Sequence, residues 1–146
     1  MQPFHNTIQP FSAEISQDIR EKAFARKTDP VYGELFLVFS GMGPPRYLTE
    51  SGTVYVEGDL QDLNDQKTRP ACLSETLSCL CYTADRLDIP AIRSLLPKKA
   101  TDATECQRCE NSNGWVRMDG PDGESNQILC WECKGLGWLP AVPWDG

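Results

Sequence analysis

The chain lacks what several large function classes need. No apolar run approaches the roughly 20 residues that cross a bilayer, so no membrane role is expected. The start, MQPFHNTIQPFSAEISQ, has neither the basic stretch nor the apolar core of a secretory signal. A cytoplasmic location is the expectation. There is one histidine, His5. It sits near a terminus, where chains fray, and takes no role, so no Ser-His-Asp set can be assembled. SGMGPP has two glycines but no lysine, and is not a phosphate loop. Asp59, Asp62 and Asp65 cluster where solvation and turn formation are the ordinary roles of aspartate. No catalytic or cofactor-binding residue is assigned, and the chain reads as a non-enzyme.

Positive charge is also scarce. Fourteen Lys and Arg stand against 21 Asp and Glu, a net charge of −7. Residues 34–65 hold six acids (Glu34, Glu50, Glu57, Asp59, Asp62, Asp65) and one base, Arg46. Nucleic-acid affinity rests on neutralising phosphates, so nucleic acid is not an expected partner. The acidic band reads first as a solvated face. Otherwise it suits a basic protein partner.

What the chain does have is cysteine: Cys72, Cys79, Cys81, Cys106, Cys109, Cys130 and Cys133. An odd number without a secretory signal argues against a disulfide framework. In a reducing compartment, clustered cysteines point to metal or redox chemistry.

A length of 146 residues suits one domain and a small appended module. The boundary falls near the polar stretch LPKKATDATE. We read residues 1–97 as an α+β domain, 98–105 as a linker, and 106–146 as a second unit with a Trp- and Pro-rich tail. In FSAEISQDIREKAFARK, Phe11, Ile15, Ile19 and Ala23 recur every fourth residue. That spacing predicts a helix capped by Ser12, and the Asp29-Pro30 pair is expected to break it. ELFLVFS predicts a buried strand. GMGPP predicts a turn, and RYLTESGTVYVEGD a hairpin with Ser51-Gly52 at its tip. Leu73, Leu77, Leu80, Ala84 and Leu87 predict an amphipathic helix, and IPAIRSLLP a short second one. The expected fold class is α+β: a small antiparallel sheet with flanking helices, then a C-terminal hairpin module. Cys81 lies on the apolar stripe beside Leu77 and Ala84. Residues two apart on a helix face different ways, so Cys79 and Cys81 are read as packing rather than chemistry.

The second unit carries the sharper signal. CQRC and CWEC are separated by twenty residues, the arrangement C-x2-C-x20-C-x2-C. Four soft thiolates at that spacing suit one tetrahedral Zn²⁺ with no open position. The expected ligands are Cys106, Cys109, Cys130 and Cys133. A knuckle of this kind turns both sulfurs inward and needs a residue that tolerates positive φ just beyond it. Gly135 answers after Cys133, and Asn111 stands in the matching place. CQRCENSNGW and CWECKGLGW align as near copies, with Gly114-Trp115 matching Gly137-Trp138. WVRMDGPDGESNQILCW between them predicts a hairpin, so the unit reads as a zinc ribbon with two pseudo-symmetric halves.

CKGLG completes a CxxCxGxG element. It resembles the cysteine-rich zinc finger of DnaJ-class co-chaperones, in which paired elements bind zinc and help to hold unfolded polypeptide. The resemblance covers Cys106, Cys109, Cys130, Cys133, Gly135 and Gly137, and more loosely Asn111 and Gly114. Two elements stand here against the family's four, which implies one zinc, and the first is degenerate. No His-Pro-Asp tripeptide occurs, so recruitment of an ATPase chaperone through a J-domain is not expected. Upstream, GPPRYLTESGTVYVEGD before an apolar helix is similar to SUKH-superfamily proteins, many of them toxin-immunity proteins. That resemblance implies an acidic protein masking a basic one.

Three functions follow. The leading one is a zinc-binding interaction protein, a chaperone-like adaptor with a structural site. It has a protein partner and presents Trp131, Trp138, Leu139, Val142 and Trp144, although packing is the expected fate of Trp115 and Trp138. The second is the immunity-like protein. The third is a CxxC thiol–disulfide oxidoreductase, which would need an electropositive setting. Arg108 and Lys134 are offset there by Glu105, Glu110 and Glu132. Duplex binding by the ribbon is opposed by six acids against Arg108, Arg117 and Lys134.

Overall fold

The structure is a computed structural model that describes residues 11–40, 44–58, 67–99, 101–109, 114–119 and 125–141. His5, Asp59, Asp62, Asp65, Asn111, Val142 and Trp144 lie outside the described residues, as does most of the GMGPP turn. The fold is α+β: an antiparallel sheet with helices, followed by small hairpins that carry the four-cysteine unit.

Helix α1 spans Ala13–Lys22. Ser12 caps it, its Oγ accepting from the Ile15 N–H at 3.3 Å, and Ile15 and Ile19 are buried. The helix does not run on to Asp29-Pro30 as the sequence predicts. It ends at Ala23, and Ala25–Asp29 forms strand β1. The apolar stripe stops at Ala23, so Arg26 and Lys27 have no core to join as helix. As strand they satisfy the open edge of β2 (Gly33–Phe39), in register from Ala25 opposite Leu37 to Asp29 opposite Gly33. Charged residues suit such an edge. Asp29 builds the turn, its Oδ1 accepting from the N–H groups of Val31 (2.8 Å) and Tyr32 (3.0 Å).

Strands β3 (Arg46–Leu48) and β4 (Val54–Glu57) form the expected hairpin around Ser51-Gly52. Strand β5 (Thr68–Pro70) completes a sheet of order β1-β2-β3-β4-β5. Its three residues are too few to show a period, and its proline lies on the outermost strand, where a missing N–H costs least.

Helix α2 (Leu73–Arg86) packs on the sheet face bearing Phe36, Val38, Leu48, Val54 and Val56. Those side chains are buried, each contributing about 1.5–3 kcal/mol of apolar transfer free energy. Glu75 fixes the start of α2. Its carboxylate accepts from the Cys72 N–H at 3.0 Å and takes the Arg69 fork at 2.9 and 2.8 Å. Burial works to raise its pKa, but these donors prevail and hold it at about 2. A 3₁₀ helix, Pro90–Leu95, follows. Cys79 and Cys81 are buried in this core, and burial pushes both thiols up to about 12. No helix among the described residues is long and apolar enough to cross a membrane.

The C-terminal strands are β6 (Thr104–Glu105), β7 (Trp115–Asp119), β8 (Ser125–Leu129) and β9 (Trp138–Leu139). β7 pairs with β8, the hairpin the sequence predicts, and β6 pairs with β9. Trp115 and Leu129 lie in the same buried cluster as α2. The Trp115 Nε1–H donates to Asp85 Oδ2 at 2.6 Å, and its ring lies 4.4 Å under the Arg86 guanidinium.

Candidate metal centre

Each half of the C-terminal unit places its cysteines in the same way. Cys106 follows β6, and Cys130 follows β8. Glu105 pairs with Trp138, and Leu129 with Trp115. The N–H of each first cysteine donates to the glycine carbonyl of the other half: Cys106 to Gly137 at 3.0 Å, and Cys130 to Gly114 at 2.8 Å. The duplicated Gly-Trp of the sequence is therefore a pseudo-two-fold in space. Each tryptophan begins the strand that clamps the opposite knuckle. That relation was open to inference from the repeat. If Trp115 pairs beside Cys130, its twin must pair beside Cys106, which draws residues 104–105 out of a linker and into a strand.

Two glycines make the close approach possible. Gly114 has φ +89°, and any Cβ there would run into the carbonyl of Gly135. Gly135 has φ +96°, and a Cβ there would lie 2.6 Å from the Cys81 Cβ. Lys134 also adopts positive φ, 59°, a conformation that the sequence reading placed at Gly135 in this knuckle. Beyond the turn, the Gly137 N–H donates to Cys133 Sγ at 3.2 Å, the expected N–H···S bond that spreads thiolate charge.

All four sulfurs are buried and lie within 4.8 Å of one another, a group that could hold a metal ion. The approaches between knuckles are 3.7 Å for Cys106–Cys130 and 3.8 Å for Cys109–Cys133. Four thiolates at about 2.3 Å from one zinc, at tetrahedral angles, stand about 3.8 Å apart. The spacing therefore fits the ion, and the donor set is soft and closed. Burial raises Cys109 and Cys133 above the ordinary thiol value, whereas at Cys106 burial is outweighed by the N–H groups of Cys109 and Arg108, which lower it.

The second knuckle is fastened to the sheet domain. Arg93 forks onto Asp85 at 3.0 and 2.6 Å, and its Nη2 also reaches the Gly135 carbonyl at 3.2 Å. Arg86 donates to the Gln127 carbonyl at 2.8 Å. Asp85 thus receives both Arg93 and Trp115, and ties α2 to the hairpin. Sequence reasoning missed this contact, because nothing in the spacing of Asp85 distinguishes it from a solvated helix residue.

The three described acids of the acidic band each meet a cation of the chain. Glu34 pairs with Arg26 at 3.4 Å, Glu50 with Arg20 (Nε at 2.8 Å), and Glu57 with Lys27 at 2.7 Å. Trp115 is packed, as expected, and Trp138 is half-buried, while Trp131 remains 49% exposed. No protein-family model, curated protein or solved structure matches this chain.

Proposed function

We propose that this chain is a non-enzymatic zinc-binding protein that acts as an interaction module, a chaperone-like adaptor, with one structural Zn²⁺ held by Cys106, Cys109, Cys130 and Cys133. The observation that carries the reading is the sulfur geometry: four buried sulfurs in one group, with approaches across the knuckles at tetrahedral spacing. A closed set of four thiolates leaves no position for substrate or water, which favours a structural site over a catalytic one. Trp131, on the knuckle between Cys130 and Cys133, offers an exposed aromatic group to a partner. The engagement of Glu34, Glu50 and Glu57 by internal cations disfavours an acidic mask for a basic protein.

Metal content and a thiol count on protein purified without added metal test the site. One zinc per chain is expected, with four thiols becoming reactive only after chelation. The adaptor role is tested by aggregation of an unfolded model polypeptide. The loaded protein should slow it, and the Trp131→Ala variant should slow it less. Loaded protein with no effect on aggregation would remove the chaperone-like reading and leave the metal site standing.

A further inference from the structure

Between the sheet domain and the second knuckle lies a cleft of about 600 Å³, a size suited to a small molecule. Arg46, on β3, forms its floor. The guanidinium stacks on the Phe39 ring at 4.1 Å. Its Nη1 donates to the Glu75 carbonyl at 3.0 Å and to Ser78 Oγ. Its Nε is buried with no acceptor, and Nη2 makes no hydrogen bond among the described residues. The nearest carboxylate, Glu75, is already taken by the Arg69 fork and the Cys72 N–H. Every group that Arg46 touches is therefore neutral. Burial, helped by the nearby Arg69 cation, pushes its pKa down against the attraction of Glu75, as expected of a desolvated cation with no carboxylate bonded to it.

The opposite wall comes from β8 and the knuckle: Leu129, Trp131 and Lys134. Lys134 donates to the Trp131 carbonyl at 2.6 Å, which keeps a second cation at the rim. Two cations thus share one cleft in a chain of net charge −7. Between them lie a ring face and apolar side chains, and along the α2 side Ser74, Ser78 and Glu75, whose carboxylate is held by the Arg69 fork. The Nη2 of Arg46 is left to offer a charge-assisted hydrogen bond to a carboxylate oxygen. Cys130 backs the cleft, and a four-thiolate zinc centre carries negative charge, which disfavours a dianion such as phosphate.

We propose that this cleft binds a small monocarboxylate with a flat apolar body, its carboxylate on Arg46 and its body between Phe39, Leu129 and Trp131. One wall is the second knuckle, so the shape of the site rests on the metal-bound form.

The test is an NMR titration of the full chain as purified, following the Trp131 indole and the Arg46 side chain. The probes are phenylpropionate, its uncharged analogue phenylpropanol, and inorganic phosphate. Phenylpropionate should shift both signals saturably at millimolar concentrations. Phenylpropanol should bind at least about tenfold more weakly, the fold-change expected for one charge-assisted hydrogen bond. Phosphate should not displace the acid, and Arg46→Met should abolish binding with metal content unchanged. If Arg46→Met does not fold, the acid–alcohol pair on the wild-type protein and a weakened Trp131→Ala variant decide the matter. Equal binding of acid and alcohol, displacement by phosphate, or no saturable shift would overturn the proposal. Metal content of the same sample separates the two readings. Zinc without binding removes the cleft alone, and binding without metal removes the zinc site together with the dependence of the cleft on it.

Discussion

In the sheet domain, Phe36, Val38, Leu48, Val54, Val56 and Leu77 are buried, and they pack with two helices into one apolar cluster. In the C-terminal unit the separate buried cluster is the four cysteines themselves, with Val116 and Leu139, among the described residues, packed against it. The first region can hold itself by burying apolar area. The second cannot: its strands β6 and β9 are two residues each, and it borrows Trp115 and Leu129 from its own hairpin to grip α2. The difference teaches where a metal would act. Removing an apolar side chain thins the first region, whereas removing an ion held by the four cysteines would deprive the second of its centre.

The largest expected effect breaks the comparison at that centre. Cys130→Ser should lose the metal and melt the hairpins, because structural zinc contributes about 10–16 kcal/mol to modules of this kind. The sheet should survive. Circular dichroism would retain the sheet signal while tryptophan emission shifts red as Trp115 is uncovered. Unchanged emission and metal content would refute the ligand assignment.

Next is the joint between the regions. Gly135→Ala places a Cβ against Cys81 at a backbone angle that L side chains rarely adopt. A cost of about 2–4 kcal/mol is expected from strain and overpacking together, read as a lowered midpoint in denaturant. A loss below about 0.5 kcal/mol, the range of ordinary surface substitutions, would mean that the knuckle does not sit on α2.

A smaller effect belongs to the sheet domain alone. The Glu75 carboxylate has a folded pKa of about 2 against 4.5 for the free group. A depressed folded value means that its stabilisation is present above pH 4.5 and is lost as pH falls toward about 2. Glu75→Gln should cost about 1 kcal/mol at neutral pH, as lost helix caps do, and should flatten the acid limb of the stability profile between those values. An unaltered acid limb would show that the Arg69 fork contributes nothing.

The smallest effect sharpens the comparison by its absence. Cys79→Ala removes a buried sulfur from the first region, at a cost of about 1 kcal/mol in packing. It should leave metal content at the wild-type level. A drop in bound metal would assign Cys79 to the centre.

Much of this organisation is legible in the residues, though unevenly. The four-cysteine group is plain from spacing, because two CxxC pairs define their geometry almost without context. Gly135 is legible for the same reason, since a knuckle demands positive φ at a fixed place. The helix over Asp18, Ile19 and Arg20 is legible, but its end is not. Ala23 continues the stripe, while the neighbouring strand β2 recruits Arg26 and Lys27, and tertiary pairing overrides local propensity. Strand β5 is too short to carry a period. The joint through Asp85, Arg93 and Trp115 depends on which helix the hairpin meets, and that information is not local to any motif. Arg46 looks from sequence like the lone base in an acidic stretch. Only the fold takes it away from Glu50 and Glu57 and sets it beneath a cleft.

The central claim is that one ion sits among four sulfurs. X-ray absorption at the zinc edge of the purified protein tests it most directly. The account predicts four sulfur scatterers at about 2.3 Å and no nitrogen or oxygen neighbour in the same shell. A shell with fewer sulfurs and added oxygen or nitrogen, or no zinc edge with a disulfide between Cys130 and Cys133, would contradict it.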